Sequence, residues 1–122
     1  MGIAHHSHHV VWCEDARTAF LRESGISYRE LEERGVLLVV VDVSIRYRAP
    51  AHYDDVLRVD CWVRDRHHRR IIFGYAIVRE ADRRCLATAQ TSLIALDSNH
   101  ALGVVPAEIL AQLVPVADPV RL

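Results

Sequence analysis

The residues best equipped for chemistry crowd the start of the chain. In GIAHHSHHVVWCEDARTAFLRESG, Gly2 to Gly25, four histidines stand at His5, His6, His8 and His9. Imidazole can shuttle a proton near neutral pH, orient a carbonyl or ligate a metal. A histidine run can also be a purification scar. As a metal site the group is incomplete. His5 shares a helix face with His8 or His9, and no Cys, Asp or further His stands at ligand spacing. No metal is therefore expected. A second candidate is RDRHHRR, Arg64 to Arg70. Guanidinium forks suit phosphate oxygens, and Arg69 and Arg70 are the foremost choices there. The alternative for this run is a solvated hairpin tip. HYDD, His52 to Asp55, reads as a turn whose aspartates bond backbone amides. No Gly-x-Ser-x-Gly elbow or Cys–His nucleophile pattern appears.

Composition narrows the classes. The chain has 122 residues, 51% of them hydrophobic and 25% charged, which suits one globular domain over residues 1–122. Its net charge of −1 gives no general attraction to nucleic acid or to membranes. No apolar run reaches the length of a membrane span. Cys13, Cys61 and Cys85 are an odd number without metal-type spacing, so reduced thiols in a cytoplasmic protein are expected. All 15 basic residues are Arg, as a GC-rich coding bias would produce.

The elements that must position these groups follow from periodicity. Val10, Cys13, Ala16, Ala19 and Phe20 recur near helical spacing, so Ser7 to Ser24 reads as a buried helix with Gly25 past its end. Ser27 and Glu30 have capping-box spacing for a short helix closed by Gly35. The period then becomes two. Strands are expected at Val41–Tyr47, Leu57–Val63, Ile71–Ile77 and Cys85–Leu96, joined by short polar links. A short helix over Pro106–Leu113 follows, then a tail that is frayed or packed on a partner. The class is α+β: a long antiparallel sheet wrapped around one central helix.

That order, with these residues, resembles the hotdog fold. More narrowly the chain is similar to the 4-hydroxybenzoyl-CoA thioesterase family and to the short acyl-CoA thioesterases associated with the Tol–Pal system. The first stretch is similar to the family's Gly-(Ile/Val)-Val-Tyr-His-Ala-Asn-Tyr, followed by Phe-Glu-x-Ala-Arg-x-x-(Phe/Trp)-Leu-Arg. Gly2, His6, Glu14, Ala16, Arg17, Phe20, Leu21 and Arg22 match it directly. IRYRAPAHYDDVLRV, Ile45 to Val59, resembles the family's Tyr-x-x-Pro-Ala-x-Tyr-x-Asp-x-Leu. ATAQTSLIALD, Ala87 to Asp97, resembles its last strand.

The resemblance implies hydrolysis of a short-chain or aromatic acyl-CoA by a homodimer, assembling to a homotetramer, with no cofactor beyond the coenzyme A of the substrate. It implies a thioester held at the N-terminus of the central helix, at a subunit interface. Unpaired helix N–H groups and the dipole can polarise the carbonyl there. Those amides would belong to His6 and its neighbours. His6 fills a family position, either orienting the thioester and shuttling a proton or capping the helix. A purification scar would not run straight into the motif. His5, His8 and His9 would border the substrate. His8 replaces a usual Asn and His9 a usual Tyr, which alters the acyl pocket. Arg69 sits where relatives place a basic residue before a Phe-x-Tyr strand motif, matched by Phe73 and Tyr75.

The family's first strand and its catalytic Asp fall just before Met1. Either the start is misassigned or the carboxylate is absent. Glu14, two helical turns after His6, is then the best carboxylate, as in the branch of hotdog thioesterases that uses a helix Glu as nucleophile or base. Partial burial would raise its pKa usefully. Pairing with Arg17 is the structural alternative. Two other readings are a non-catalytic acyl-CoA-binding hotdog protein and a hydratase of the same fold. The hydratases usually carry an Asp-x-x-x-x-His pair, which is not found here.

Overall fold

The computed structural model describes residues 6 to 122, with side chains from His8 onward. Helix α1 spans His6–Glu23 and α2 spans Tyr28–Glu33. Strands follow at β1 Leu37–Tyr47, β2 Leu57–His67, β3 Arg70–Arg79 and β4 Arg84–Leu96, then α3 at Ala107–Gln112. Both early helices end as their glycines predict. Gly25 and Gly35 take φ of 81° and 79°. The amide of Ile26 bonds the carbonyl of Leu21, and that of Val36 bonds Leu31, each at 2.8 Å. This is the Schellman closure, which needs a left-handed residue after the helix. Ser27 caps α2 by accepting from the Glu30 amide at 3.0 Å.

The sheet is antiparallel in the order β1-β4-β3-β2. The last three strands form the expected meander, and β1 adds beside β4 rather than beside β2. One face rests on α1. Phe73, Tyr75, Ile77, Ala87, Ala89, Thr91 and Leu93 line it and are buried. Phe20 of α1 meets Phe73 edge-on, with ring centroids 6.1 Å apart. The α+β arrangement of a long antiparallel sheet on one helix is therefore present.

Two strands depart from simple alternation. β1 begins at Leu37, four residues before the expected start, and its register shifts between Val40 and Asp42. Val41 is the extra residue and stays 50% exposed, while Val43, Ile45 and Tyr47 share the α1 face. A second shift falls between Val63 and Asp65.

The opposite face is covered by the chain's own tail. Val120 and Leu122 pack on Trp62, Ala76 and Val78. Trp62 Nε1 donates to Asp118 at 2.9 Å, and Arg64 forks onto both Asp118 oxygens at 2.9 and 2.8 Å. Arg46 donates to the Leu122 carbonyl at 3.2 Å, and Arg48 bonds that of Arg121. The Val116 amide bonds the Val63 carbonyl at 3.0 Å. The tail is thus packed on its own chain's sheet rather than frayed. An apolar patch around Trp62 needs a cover, and residues 116–122 supply it.

Candidate active site

α1 lies lengthwise on the sheet. Its C-terminal half meets Phe73, and its second turn meets the far end of β1. There His9 is buried, its ring 4.8 Å from Trp12 and 4.9 Å from Tyr47, edge-on to the latter. His8 also approaches Trp12, at 6.2 Å. His9 is therefore part of a packed ring cluster, whereas His8 is exposed. His5 lies outside the described residues. His6 opens α1, and its side chain is also outside the described set. The first-turn amides of α1 belong to His6 and its neighbours, as expected from the sequence. Such amides have no intrahelical partner and carry the positive end of the dipole.

Glu14 differs from its expected setting. The fully buried line of α1 is His9, Cys13, Arg17 and Leu21, flanked by the half-buried Trp12 and Phe20. Glu14 lies beside that line and is exposed. It does not pair with Arg17, whose guanidinium instead donates to Tyr28 Oη at 2.9 Å and to Tyr75 Oη at 3.1 Å. Tyr75 and Thr91 share a further bond of 2.7 Å.

Two thiols flank this network. Burial pushes Cys13 up to about 11 and Cys61 up to about 12, against the lowering field of Arg17. Neither is a nucleophile near neutral pH. Among the described residues no group of His, Cys, Asp and Glu could hold a metal.

The two basic candidates sit elsewhere. Arg69 is in the β2–β3 turn, where its guanidinium donates to the Gly103 carbonyl at 3.4 Å. Arg70 opens β3, opposite Ile94, and is exposed. The α1 mouth lies over the row Tyr47–Ala87–Ile77. Seven strand residues separate Ile77 from Arg70, about 23 Å. The histidines and these arginines are thus at opposite ends of one chain's sheet. Exposed arginines at the α1 mouth's end include Arg48 past β1, Arg58 in β2, and Arg83 and Arg84 where the β3–β4 turn enters β4. Sequence reading passed over Arg83 and Arg84 because READRR reads only as a polar link.

A lone long helix laid on one face of a long antiparallel sheet, with the helix start at the sheet's end, is the hotdog arrangement. The chain matches the thioesterase-like superfamily over residues 1–113 and belongs to it. It is 38% identical to the Bacillus subtilis protein YneP over 81 residues, which is 66% of this chain and 59% of that protein's length. It is 29% identical to the acyl-CoA thioester hydrolase YbgC of Escherichia coli over 79% of this chain and 71% of that protein. The crystal structure of the Thermus thermophilus protein TT1821 superposes with a TM-score of 0.84 at 32% identity, covering 93% of this chain and 85% of that one. No helix among the described residues is long and apolar enough to cross a membrane.

Proposed function

We propose that the protein is an acyl-CoA thioesterase that hydrolyses short-chain or aromatic acyl-CoA in the cytoplasm. The observation that carries this reading is where α1 begins. His6 opens the helix within the residues that match a thioesterase superfamily. The thioester carbonyl oxygen accepts from the first-turn amides, with His6 orienting it or moving the proton, and the dipole stabilises the oxyanion. Glu14 supplies the carboxylate, as base toward water or as the attacking group. Water adds to the acyl carbon, the C–S bond breaks, and the thiolate leaves with a proton. Free acid and coenzyme A are the products, and no cofactor takes part.

His5, His8 and His9 border the acyl group in this reading. Arg69 and Arg70 bind coenzyme A phosphates. Because they lie far from their own α1 mouth, they serve the site of a second copy. This fits a homodimer that assembles to a homotetramer.

The test is release of free thiol from a panel of acyl-CoAs, from short aliphatic to hydroxybenzoyl. Turnover of at least one class is expected. Coenzyme A binding without turnover of any member would leave a non-catalytic binding protein instead. Hydration of an enoyl-CoA in place of hydrolysis would make it a hydratase.

A further inference from the structure

The fully buried line of α1 is His9, Cys13, Arg17 and Leu21, at 3%, 3%, 7% and 1% exposure, with the half-buried Trp12 and Phe20 packed beside it. Only Leu21 is a large aliphatic side chain. A helix with so mixed a contact line is not held in register by apolar burial alone. Arg17 supplies what the line lacks. Its fork holds Tyr28, at the start of α2, and Tyr75, in the middle of β3. Tyr75 passes the contact on to Thr91 of β4. One guanidinium therefore ties α1 to three other elements.

Its partners are also chemically unusual. Among the described residues no carboxylate pairs with Arg17, and both groups it holds are neutral phenols. Burial disfavours its charge, and the two hydroxyls answer that only as hydrogen-bond acceptors. A buried cation with only neutral acceptors persists where those acceptors stand in one geometry. Sliding α1 by a turn, or rotating it, would strand the charge away from both hydroxyls.

We propose that Arg17 is a positioning residue which, through Tyr28, Tyr75 and Thr91, sets the register of α1 on the sheet and thereby the placement of the helix's first turn. Eleven helical residues, about 16 Å, separate Arg17 from His6. A rigid helix carries a shift at one end to the other. The kinetic consequence rests on the thioesterase reading above; the structural consequence does not.

The test uses the full chain with Arg17→Met, Arg17→Lys and Tyr75→Phe. It reads kcat, KM, melting temperature and amide hydrogen exchange. Arg17→Met should lower kcat about 100-fold with KM within about threefold, as small misplacements of reacting groups do. Arg17→Lys keeps the charge but cannot fork to two phenols, so its loss should be smaller. Tyr75→Phe removes one contact and should also lose less. Well below each melting temperature, exchange should rise in the first turns of α1 and stay unchanged in β3 and β4.

Unchanged kcat and exchange in Arg17→Met would overturn the proposal. So would a loss that tracks melting temperature, with KM rising and exchange increasing throughout the sheet. If the wild-type chain hydrolyses no acyl-CoA, the thioesterase reading fails, and the exchange pattern alone decides the positioning role. If Arg17→Met does not fold, the other two variants give the same comparison.

Discussion

Trp62 lies so close over Gly74 that a Cβ at position 74 would stand 2.6 Å from the indole ring. The two face each other across β2 and β3, on the sheet face away from α1. Only a residue without a side chain lets the indole lie flat, and only a flat indole brings Nε1 to Asp118. Gly74→Ala should therefore destabilise the fold by about 1–3 kcal/mol, as overpacking does. Chemical denaturation would show it as a lower midpoint. Trp62→Leu in the same chain should recover part of the loss, since it removes the clashing ring.

The tail's attachment should depend on pH. Burial pushes the Asp118 carboxyl up, but Arg64 and Trp62 outweigh that and hold it below its ordinary value. A depressed carboxyl stabilises the docked tail above its unfolded pKa, about 3.9. That contribution is lost as pH falls through the folded value. Trp62 emission should therefore shift on acidification below about pH 4, and Asp118→Ala should show the shifted emission already at neutral pH. An Asp118→Ala chain with wild-type emission and wild-type protection of residues 116–122 would show that the carboxylate does not hold the tail.

The three thiols should differ in reactivity. Cys13 and Cys61 sit between α1 and the sheet, with their pKa values pushed to about 11 and about 12. Cys85 is half-buried at the start of β4. At pH 8 a thiol reagent should label Cys85 first, Cys61 more slowly because it is partly exposed but holds its proton, and Cys13 only as the protein opens. Mass mapping of the labelled peptides checks this, and fast labelling of Cys13 would contradict the packing of α1.

The arginine pairs at the two ends of the sheet separate two ways of seating the nucleotide. If Arg69 and Arg70 serve a neighbouring copy, Arg69→Ala with Arg70→Ala should raise KM about tenfold or more, at two phosphate contacts of roughly 1 kcal/mol each, and leave kcat near wild type. Arg83→Ala with Arg84→Ala should do little. The reverse pattern would seat coenzyme A along a single chain.

Much of this fold was legible in the sequence because local chemistry agrees with the outcome. Ser27, Gly25 and Gly35 announce their caps, and Phe73, Tyr75 and Ile77 announce a buried strand face. Three features were not legible. The bulges at Val41 and Arg64 cost no break in the hydrophobic pattern, so alternation ran on through them. Arg17 was matched to the family, but an arginine one turn past Cys13 does not declare that two phenols await it across the core. Residues 116–122 have no periodicity, and their cover of Trp62 depends on pairing Asp118 with Arg64, 54 positions apart. At the site, a helix opening among the histidines was readable, with Ser7 rather than His6 as its expected first residue, whereas the exposure of Glu14 follows from which line of α1 the sheet accepts.

The most direct test of the proposed chemistry compares thiol release by the wild-type chain and Glu14→Gln on the acyl-CoA that wild type cleaves fastest. The amide keeps the shape of the side chain and removes its basicity. If Glu14 is the carboxylate, kcat should fall about 100-fold or more while KM and melting temperature hold, within the usual range for loss of a general base. Undiminished kcat in Glu14→Gln would contradict the assignment of the reaction to this helix carboxylate.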